Sequence, residues 1–227
     1  MRYLCYFYGI IRTDINLLKN VIKENKENFL NKNVDYFLIT CNPIDNYNYD
    51  KQDLIIQLGK EVNIIFIENY CEYLNEILIN GTYNQENKFH VEIFNFIKNQ
   101  NINYDYIIGL RSELLIKINN IDNYFNENTI IPPRYYYNLN PNLLGNNHFY
   151  IIPFQTFINL NLSFKNINEI DKISFDCEAS FILLFKPNQL IKLDDIIEYN
   201  FNGTLKIHIK NNKTIYTNSN KKYLLLQ

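Results

Sequence analysis

The apolar residues of the chain fall into short continuous runs, separated by segments of helical periodicity. A run that is apolar throughout is typical of a strand buried on both faces of a sheet. Four runs in the first half have this pattern: Tyr3–Ile11, Asp35–Thr40, Val62–Ile67 and Asp105–Leu110. The pattern therefore predicts four buried strands, as in a parallel sheet.

The segments between these runs carry apolar residues along one side at helical spacing. A helix is expected to begin at Thr13 or Asp14, either of which can cap its first turn. Further helices are predicted at Lys51–Leu58, at about Glu72–Ile79 and at about Asn87–Gln100. Because strands and helices alternate, we expect an α/β fold with a mostly parallel, Rossmann-like sheet and helices on both faces.

The second half of the chain is less regular. Short strands are predicted within Asn128–Pro133 and at Phe149–Ile152, and a buried helix within Ser174–Lys186. Near the C-terminus, Thr204–Ile209 and Thr214–Thr217 are separated by an Asn-Asn pair, a pattern that predicts a C-terminal β-hairpin.

The composition is that of an ordinary globular domain. Of 227 residues, 47% are hydrophobic and 15% aromatic, enough to form a core without disulfides or a structural metal. We expect a single domain over residues 1–217 and a mobile tail over residues 218–227. The 22 basic and 24 acidic residues are dispersed, which argues against a nucleic-acid partner because such proteins show a clustered basic surface.

The cysteines and the N-terminus bear on the compartment. Cys5, Cys41, Cys71 and Cys177 lie far apart without a Cys-x-x-Cys pair, as buried thiols in a reducing compartment do. Charged residues follow the first apolar run directly, where a signal peptide would have a cleavage site. No apolar run approaches the length of a membrane span. These features predict a cytoplasmic protein with no membrane span.

Candidate chemistry lies where the predicted strands end, because ligands of parallel sheets bind outside the carboxyl ends of the strands. Gly9 would let the backbone approach a ligand, and the helix after it would offer free N–H groups. With the guanidinium of Arg12, these groups would bind a diphosphate. A tight turn with a solvated arginine is the alternative, and the turn alone favours it. The segment is neither Gly-x-Gly-x-x-Gly nor a Walker loop, which argues against dinucleotide and ATP binding.

The end of the fourth predicted strand reads Arg111-Ser112-Glu113. Side chains alternate along a strand, so Arg111 and Glu113 are expected on the same face. The carboxylate could hold a divalent cation and the arginine could neutralise a leaving diphosphate. An ion pair that closes the strand explains the same residues equally well.

Two further residues are candidates from chemistry alone. His148, at a junction between loop and strand, is a candidate metal ligand or base, against the simpler explanation of a polar surface residue. Glu178 precedes an apolar helix, where a capping carboxylate is the simpler explanation.

Taken in order, these motifs resemble a group of small glycosyltransferases with the type A fold, found in polysaccharide gene clusters of bacteria and in large viruses. The pattern of that group is strand–Gly-x-x-Arg–helix, a strand ending in Thr, a long helix, Tyr-Asp-x-(apolar)-x-x-Arg-x-Asp, an Asn-Asp loop and a Glu that opens a helix. The matching segments here are Gly9–Arg12, Tyr36–Thr40, Asn87–Gln100, Tyr104–Glu113, Asn147–Phe149 and Glu178. Two positions depart: Glu113 and His148 stand where the group has aspartates.

The resemblance implies a transferase that uses a nucleotide-diphosphate sugar as donor and a glycan or another molecule as acceptor. The implied donor-binding residues are Gly9, Arg12, Thr13, Thr40, Asn42 and Arg111. Glu113 and His148 are implied as ligands of Mn²⁺ or Mg²⁺, and Glu178 and Arg111 as catalytic residues. The role implied is in polysaccharide biosynthesis.

Two other functions stay open at this point. One is a catalytically inactive relative that binds a nucleotide or a glycan, which the departures at Glu113 and His148 favour. The other is a scaffold domain without a ligand, for which loss of Arg12 or Arg111 would have no measurable consequence beyond a slight change in stability.

Overall fold

The computed structural model describes residues 1–11, 13–41, 49–68, 87–131, 148–160, 188–192, 195–201, 205–210, 213–218 and 221–224. The helices predicted near residues 72–79 and 174–186 lie outside these ranges, as do Cys71 and Cys177.

The described residues form twelve strands and four α-helices. The strands are β1 (Arg2–Tyr8), β2 (Asn33–Cys41), β3 (Asn63–Ile67), β4 (Tyr106–Arg111), β5 (Leu114–Ile118), β6 (Ile130–Ile131), β7 (Phe149–Pro153), β8 (Gln189–Leu190), β9 (Ile196–Phe201), β10 (Leu205–Lys210), β11 (Lys213–Asn218) and β12 (Lys221–Leu224). The helices are α1 (Ile15–Lys26), α2 (Lys51–Leu58), α3 (Asn87–Gln100) and α4 (Phe154–Asn159). The bounds predicted for α2 and α3 are confirmed.

Seven strands form the central sheet, in the order β3-β2-β1-β4-β7-β6-β8. The strands β3, β2, β1 and β4 are parallel, and β7 is antiparallel to β4. The chain builds β1, β2 and β3 outward and then returns to place β4 beside β1, so the winding reverses between β1 and β4. The predicted mostly parallel, Rossmann-like sheet is confirmed.

A hydrophobic core lies on each face of this sheet. We call one side the α3 face, where α3 and α4 pack, and the other the α1 face, where α1 and α2 pack. Successive residues of β1 alternate between the two cores, and those on the α3 face are Leu4, Tyr6 and Tyr8. Helices therefore cover both faces, as predicted.

The start of α1 confirms Asp14 as its cap. The Asp14 Oδ1 accepts the N–H groups of Asn16 at 2.8 Å and of Leu17 at 3.4 Å, which satisfies two groups that a helix start otherwise leaves open. The N–H of Ile15 donates to the hydroxyl of Tyr49 at 3.2 Å.

A second sheet is antiparallel, with the strand order β12-β11-β10-β9-β5. Its strands β10 and β11 pair from Leu205 to Asn218 and confirm the predicted C-terminal hairpin. Residues 221–224, where a mobile tail was expected, form β12 and pair with β11. The strand β5 joins this sheet at the edge through β9.

Two side-chain amides, one from α1 and one from the 3-10 helix Glu27–Phe29 that follows it, hold the other edge of β5. Asn25 donates to the carbonyl of Leu114 at 2.6 Å and accepts the N–H of Ile116 at 3.0 Å. Asn28 donates to the carbonyl of Ile116 at 2.6 Å and accepts the N–H of Ile118 at 3.0 Å. Each amide thus pairs with the main chain as a neighbouring strand would. We call this pair of residues the amide clasp.

Two other expectations can be compared with the structure. Cys5 and Cys41 are buried, as predicted. Among the helices in the described part of the chain, none has the length and hydropathy needed to cross a membrane.

Candidate functional site

The carboxyl ends of β2, β1 and β4 lie side by side at the point where the winding reverses. Tyr8 is in register with Ile39 of β2 and with Arg111 of β4. The N–H of Gly9 donates to the carbonyl of Ile39 at 3.2 Å, and the N–H of Ser112 donates to the carbonyl of Tyr8 at 2.8 Å. In open α/β sheets, this is the edge that binds ligands.

Gly9 ends β1 with a φ of +128°, a conformation that side chains other than glycine's rarely adopt. A Cβ at this position would lie 3.3 Å from the Ser112 Oγ. The turn itself therefore requires glycine, and it brings the bare backbone beside a serine hydroxyl.

Thr40 lies at the end of β2 and is fully buried. Its Oγ1 has no hydrogen-bond partner among the described residues. Leu38, two residues earlier, belongs to the core of the α1 face, so Thr40 points to that side. Leaving a buried hydroxyl unpaired is costly, and a polar ligand at this edge would remove that cost.

The start of α1 differs from the prediction. Free N–H groups were expected there for a diphosphate, but those of Ile15, Asn16 and Leu17 already have partners. The carboxylate of Asp14 also places a negative charge where an anion would bind. Thr13 is half-buried, and its hydroxyl donates to the carbonyl of Asp14 at 3.4 Å. The helix start is therefore not a ready anion site.

Arg111 ends β4 on the α3 face, between Tyr8 of β1 and His148. Its N–H donates to the carbonyl of His148 at 2.8 Å, and its Nη1 lies 3.4 Å from the His148 Nε2. Arg111 is half-buried and His148 is buried. We call Tyr8, Arg111 and His148 the edge row. The guanidinium of Arg111 places a positive charge at the strand ends.

Glu113 lies in the turn between β4 and β5 and is buried. The expectation that it shares a face with Arg111 assumed an extended chain, whereas the chain turns at Ser112 and the alternation ends there. The alternation therefore does not place Glu113 on the face of Arg111.

The donor set of this edge was also expected to bind a cation. The part of the chain that the structure describes contains no group of three His, Cys, Asp or Glu side chains that could hold a metal ion. The His148 Nε2 faces the guanidinium of Arg111. The described residues by themselves do not fit a divalent cation, so the predicted metal pair of Glu113 and His148 gains no support from them.

Directly beneath the edge row lies a buried histidine that sequence reasoning left without a role. The His90 Nδ1 lies 2.8 Å from the hydroxyl of Tyr6 and 3.1 Å from the hydroxyl of Tyr150. Burial lowers the pKa of His90 well below its ordinary value, so the ring is neutral. The sequence did contain one signal of close packing here. Gly109 is an isolated glycine inside a strand, and such a glycine often marks the close approach of another group.

The structure thus brings Gly9, Thr40, Arg111 and His148 to neighbouring strand ends, with Thr40 and Arg111 on opposite faces. Thr13 follows at the start of α1. The remaining predicted site residues, Arg12, Asn42 and Glu178, lie outside the described residues.

Comparisons with known proteins identify the fold. No protein-family model and no curated protein matches the chain. The solved structure of the galactosyltransferase LgtC in complex with donor and acceptor sugar analogues has a TM-score of 0.50 at 8% identity, over 84% of this chain and 72% of LgtC. An active-site mutant of LgtC gives 0.51 at 10% identity, over 84% and 71%. The glycosyltransferase GlyE of Streptococcus pneumoniae TIGR4 gives 0.43 at 12% identity, and the match covers 45% of GlyE.

At such low sequence identity, the likeness to LgtC concerns the fold alone. The chain has a glycosyltransferase-like fold of type A.

Proposed function

We propose that this protein is a glycosyltransferase that moves a sugar from a nucleotide-diphosphate sugar to a glycan or another acceptor. The observation that carries the proposal is the convergence of Gly9, Thr40, Arg111 and His148 at the carboxyl ends of β1, β2, β4 and the start of β7. This edge lies at the winding reversal of a glycosyltransferase-like fold, which is where α/β sheets bind nucleotides.

The base and ribose of the donor would lie over the ends of β1 and β2. The bare backbone at Gly9 allows close approach, and the buried hydroxyl of Thr40 offers a donor and an acceptor to a polar ligand. Thr13 and Asn42 are proposed to complete this part of the site. Asn42 directly follows the end of β2, and Thr13 lies just before α1 in the segment after β1.

The diphosphate would lie on Arg111, and on Arg12 from the turn after β1. In the transfer, the bond between the sugar C1 and the diphosphate oxygen breaks as the acceptor oxygen bonds to C1. The departing nucleoside diphosphate gains negative charge, which the guanidinium of Arg111 stabilises. The acceptor hydroxyl loses its proton, for which Glu178 is the proposed base.

The proposal assigns no step to a divalent cation, and the experiment below tests donor binding with and without one. Glu113 and His148 are its candidate ligands, and residues outside the described ranges would have to complete the coordination. We further propose a cytoplasmic enzyme of polysaccharide biosynthesis.

The direct test is calorimetry of the full chain with a panel of UDP- and GDP-sugars, with and without manganese. We expect at least one donor to bind, and Arg111→Ala to weaken it at least tenfold, as loss of a charged contact to phosphate does. A parallel assay of released UDP or GDP reports turnover. If no donor binds in either condition, the proposal is wrong.

A second candidate is a relative that binds a nucleotide or a glycan without catalysis. It is favoured by Glu113, which is buried in a turn, and by His148, which faces Arg111. This candidate predicts donor binding without release of nucleotide and no change in affinity for Glu113→Ala. Manganese-dependent turnover that Glu113→Ala abolishes would exclude it.

A further inference from the structure

Two successive rows of residues cross the three central strands β1, β4 and β7 on the α3 face. The outer row is the edge row Tyr8–Arg111–His148, at the strand ends. The inner row, two residues further into the sheet, is Tyr6–Gly109–Tyr150, as the strand registers show. Because side chains two residues apart share a face, the inner row lies directly beneath the outer one.

The middle of the inner row has no side chain. A Cβ on Gly109 would lie 2.1 Å from the Tyr150 Cζ, so the ring of Tyr150 occupies the space above this glycine. The two tyrosine rings therefore converge over β4, with their centroids 6.0 Å apart.

His90 of α3 meets both tyrosine side chains at their hydroxyl ends. Its Nδ1 meets the hydroxyl of Tyr6 from β1 and that of Tyr150 from β7, at 2.8 and 3.1 Å. One imidazole nitrogen thus ties together the two strands that flank β4. We call these three residues and Gly109 the histidine arch.

The arch also contacts the edge row. The rings of His90 and Tyr8 pack edge-on with centroids 4.5 Å apart, and Tyr8 stands beside Arg111 in register. On the other side, Tyr150 and His148 belong to one chain segment on the same face. Of the two neighbours of Arg111, Tyr8 therefore contacts His90 directly, and His148 lies two residues before Tyr150, whose hydroxyl His90 meets.

We propose that His90 is a positioning residue, which holds the edge row in place through Tyr6, Tyr8 and Tyr150 and so fixes where the Arg111 guanidinium meets the donor diphosphate. The part that concerns the donor rests on the proposed glycosyltransferase function. The part that concerns the geometry of the edge row does not.

The variants can separate a hydrogen-bonding role from simple packing. His90→Asn keeps a hydrogen-bonding group near the position of Nδ1, whereas His90→Leu keeps apolar bulk and loses that group. Tyr150→Phe removes a single hydroxyl and is the gentler variant if His90→Leu does not fold. Phe94→Leu is the matched control, because Phe94 is equally buried on α3 but packs against Phe157.

The chain has three histidines, so the ring signal of His148 can be assigned by single substitutions and followed by NMR. We expect His90→Leu and Tyr150→Phe to shift the His148 signal, and His90→Asn and Phe94→Leu to leave it in place. An unchanged His148 signal in both His90→Leu and Tyr150→Phe would overturn the proposal.

Donor calorimetry supplies the second readout. We expect His90→Leu to weaken the donor about tenfold, the equivalent of one lost hydrogen bond, with His90→Asn close to wild type. Equal losses in His90→Leu and Phe94→Leu would also overturn the proposal. If the wild-type chain binds no donor, the proposed function fails, and the His148 signal still decides whether His90 positions the edge row.

Discussion

Polar side chains join neighbouring elements on both faces of the central sheet, but they do so in different ways. On the α1 face, the amide clasp of Asn25 and Asn28 pairs with the main chain of β5. On the α3 face, the histidine arch pairs side chain with side chain. The clasp satisfies main-chain groups that would otherwise be buried unpaired, so its primary role is cohesion. The hydrogen bonds of the arch join side chains of three elements beside Arg111, which suits a role in positioning.

This difference predicts that damage to the clasp lowers stability most, whereas damage to the arch lowers donor affinity more than its cost in stability explains. The predictions below test that contrast, beginning with the largest expected effect.

Replacement of Asn25 by Leu should destabilise the fold by about 3 kcal/mol, because it leaves the carbonyl of Leu114 and the N–H of Ile116 buried without a partner. Denaturant unfolding followed by circular dichroism measures this change. Asn20→Leu on the exposed side of α1 is the control, and it should alter stability by no more than about 0.5 kcal/mol. Equal effects of the two variants would show that the clasp is not needed for cohesion.

Gly109→Ala should destabilise the fold by about 2 kcal/mol, because the added Cβ meets the ring of Tyr150 in a packed interior. In the background of Tyr150→Ala, which removes that ring, the same substitution should cost much less. Unfolding of the wild type, the two single variants and the double variant gives the coupling between the two positions. Additive effects would mean that the ring does not occupy the space over Gly109.

Stability should also depend on pH through His90. Burial lowers the pKa of His90 in the folded chain well below its ordinary value, so the unfolded chain binds a proton at higher pH than the folded chain does. The stability that neutral His90 adds to the folded state is fully present above its ordinary pKa of about 6.5. It is lost as the pH falls below that value, by up to about 1.4 kcal/mol per pH unit.

Unfolding of the wild type and His90→Asn from pH 7 to pH 5 isolates this contribution, because the other titrating groups are common to both. We expect a smaller loss of stability in His90→Asn. Identical slopes would contradict a neutral, buried His90.

The smallest effect is expected beside the clasp, at the pair of Lys117 and Glu24. The Lys117 Nζ lies 3.3 Å from the Glu24 Oε2, and both side chains are about one-third exposed or more. Glu24→Gln should therefore change stability by less than about 0.5 kcal/mol, and less at high salt. A larger effect would mean that charge, in addition to the amides, holds β5 to α1.

Hydrophobic patterning predicted the parallel part of the sheet because β1, β4 and the second half of β2 are buried on both faces. It also located α2 and α3 at their observed bounds and the hairpin of β10 and β11. It did not predict β5, because nothing in Leu114–Ile118 shows that the amides of Asn25 and Asn28, almost ninety residues earlier, cover its edge.

The candidate site was predictable in position and less so in detail. Topology places ligands at the carboxyl edge, which located Gly9, Thr40 and Arg111. The start of α1 was predicted to have free N–H groups, and this prediction was wrong. The hydrogen bonds that Asp14 and Tyr49 accept there depend on local geometry, which the sequence does not show. His90 carried no sequence signal of its own, because its partners come from β1 and β7.

The central claim is that the carboxyl edge binds the diphosphate of a nucleotide sugar through Arg111. The most direct measurement is calorimetric titration of UDP- and GDP-sugars into the wild type, Arg111→Ala and Arg2→Ala. Arg2 is the matched control, because it lies at the opposite end of β1 and pairs with Asp35 at 2.7 Å. We predict binding that Arg111→Ala weakens at least tenfold and Arg2→Ala leaves unchanged. Binding that is indifferent to Arg111→Ala would contradict the account.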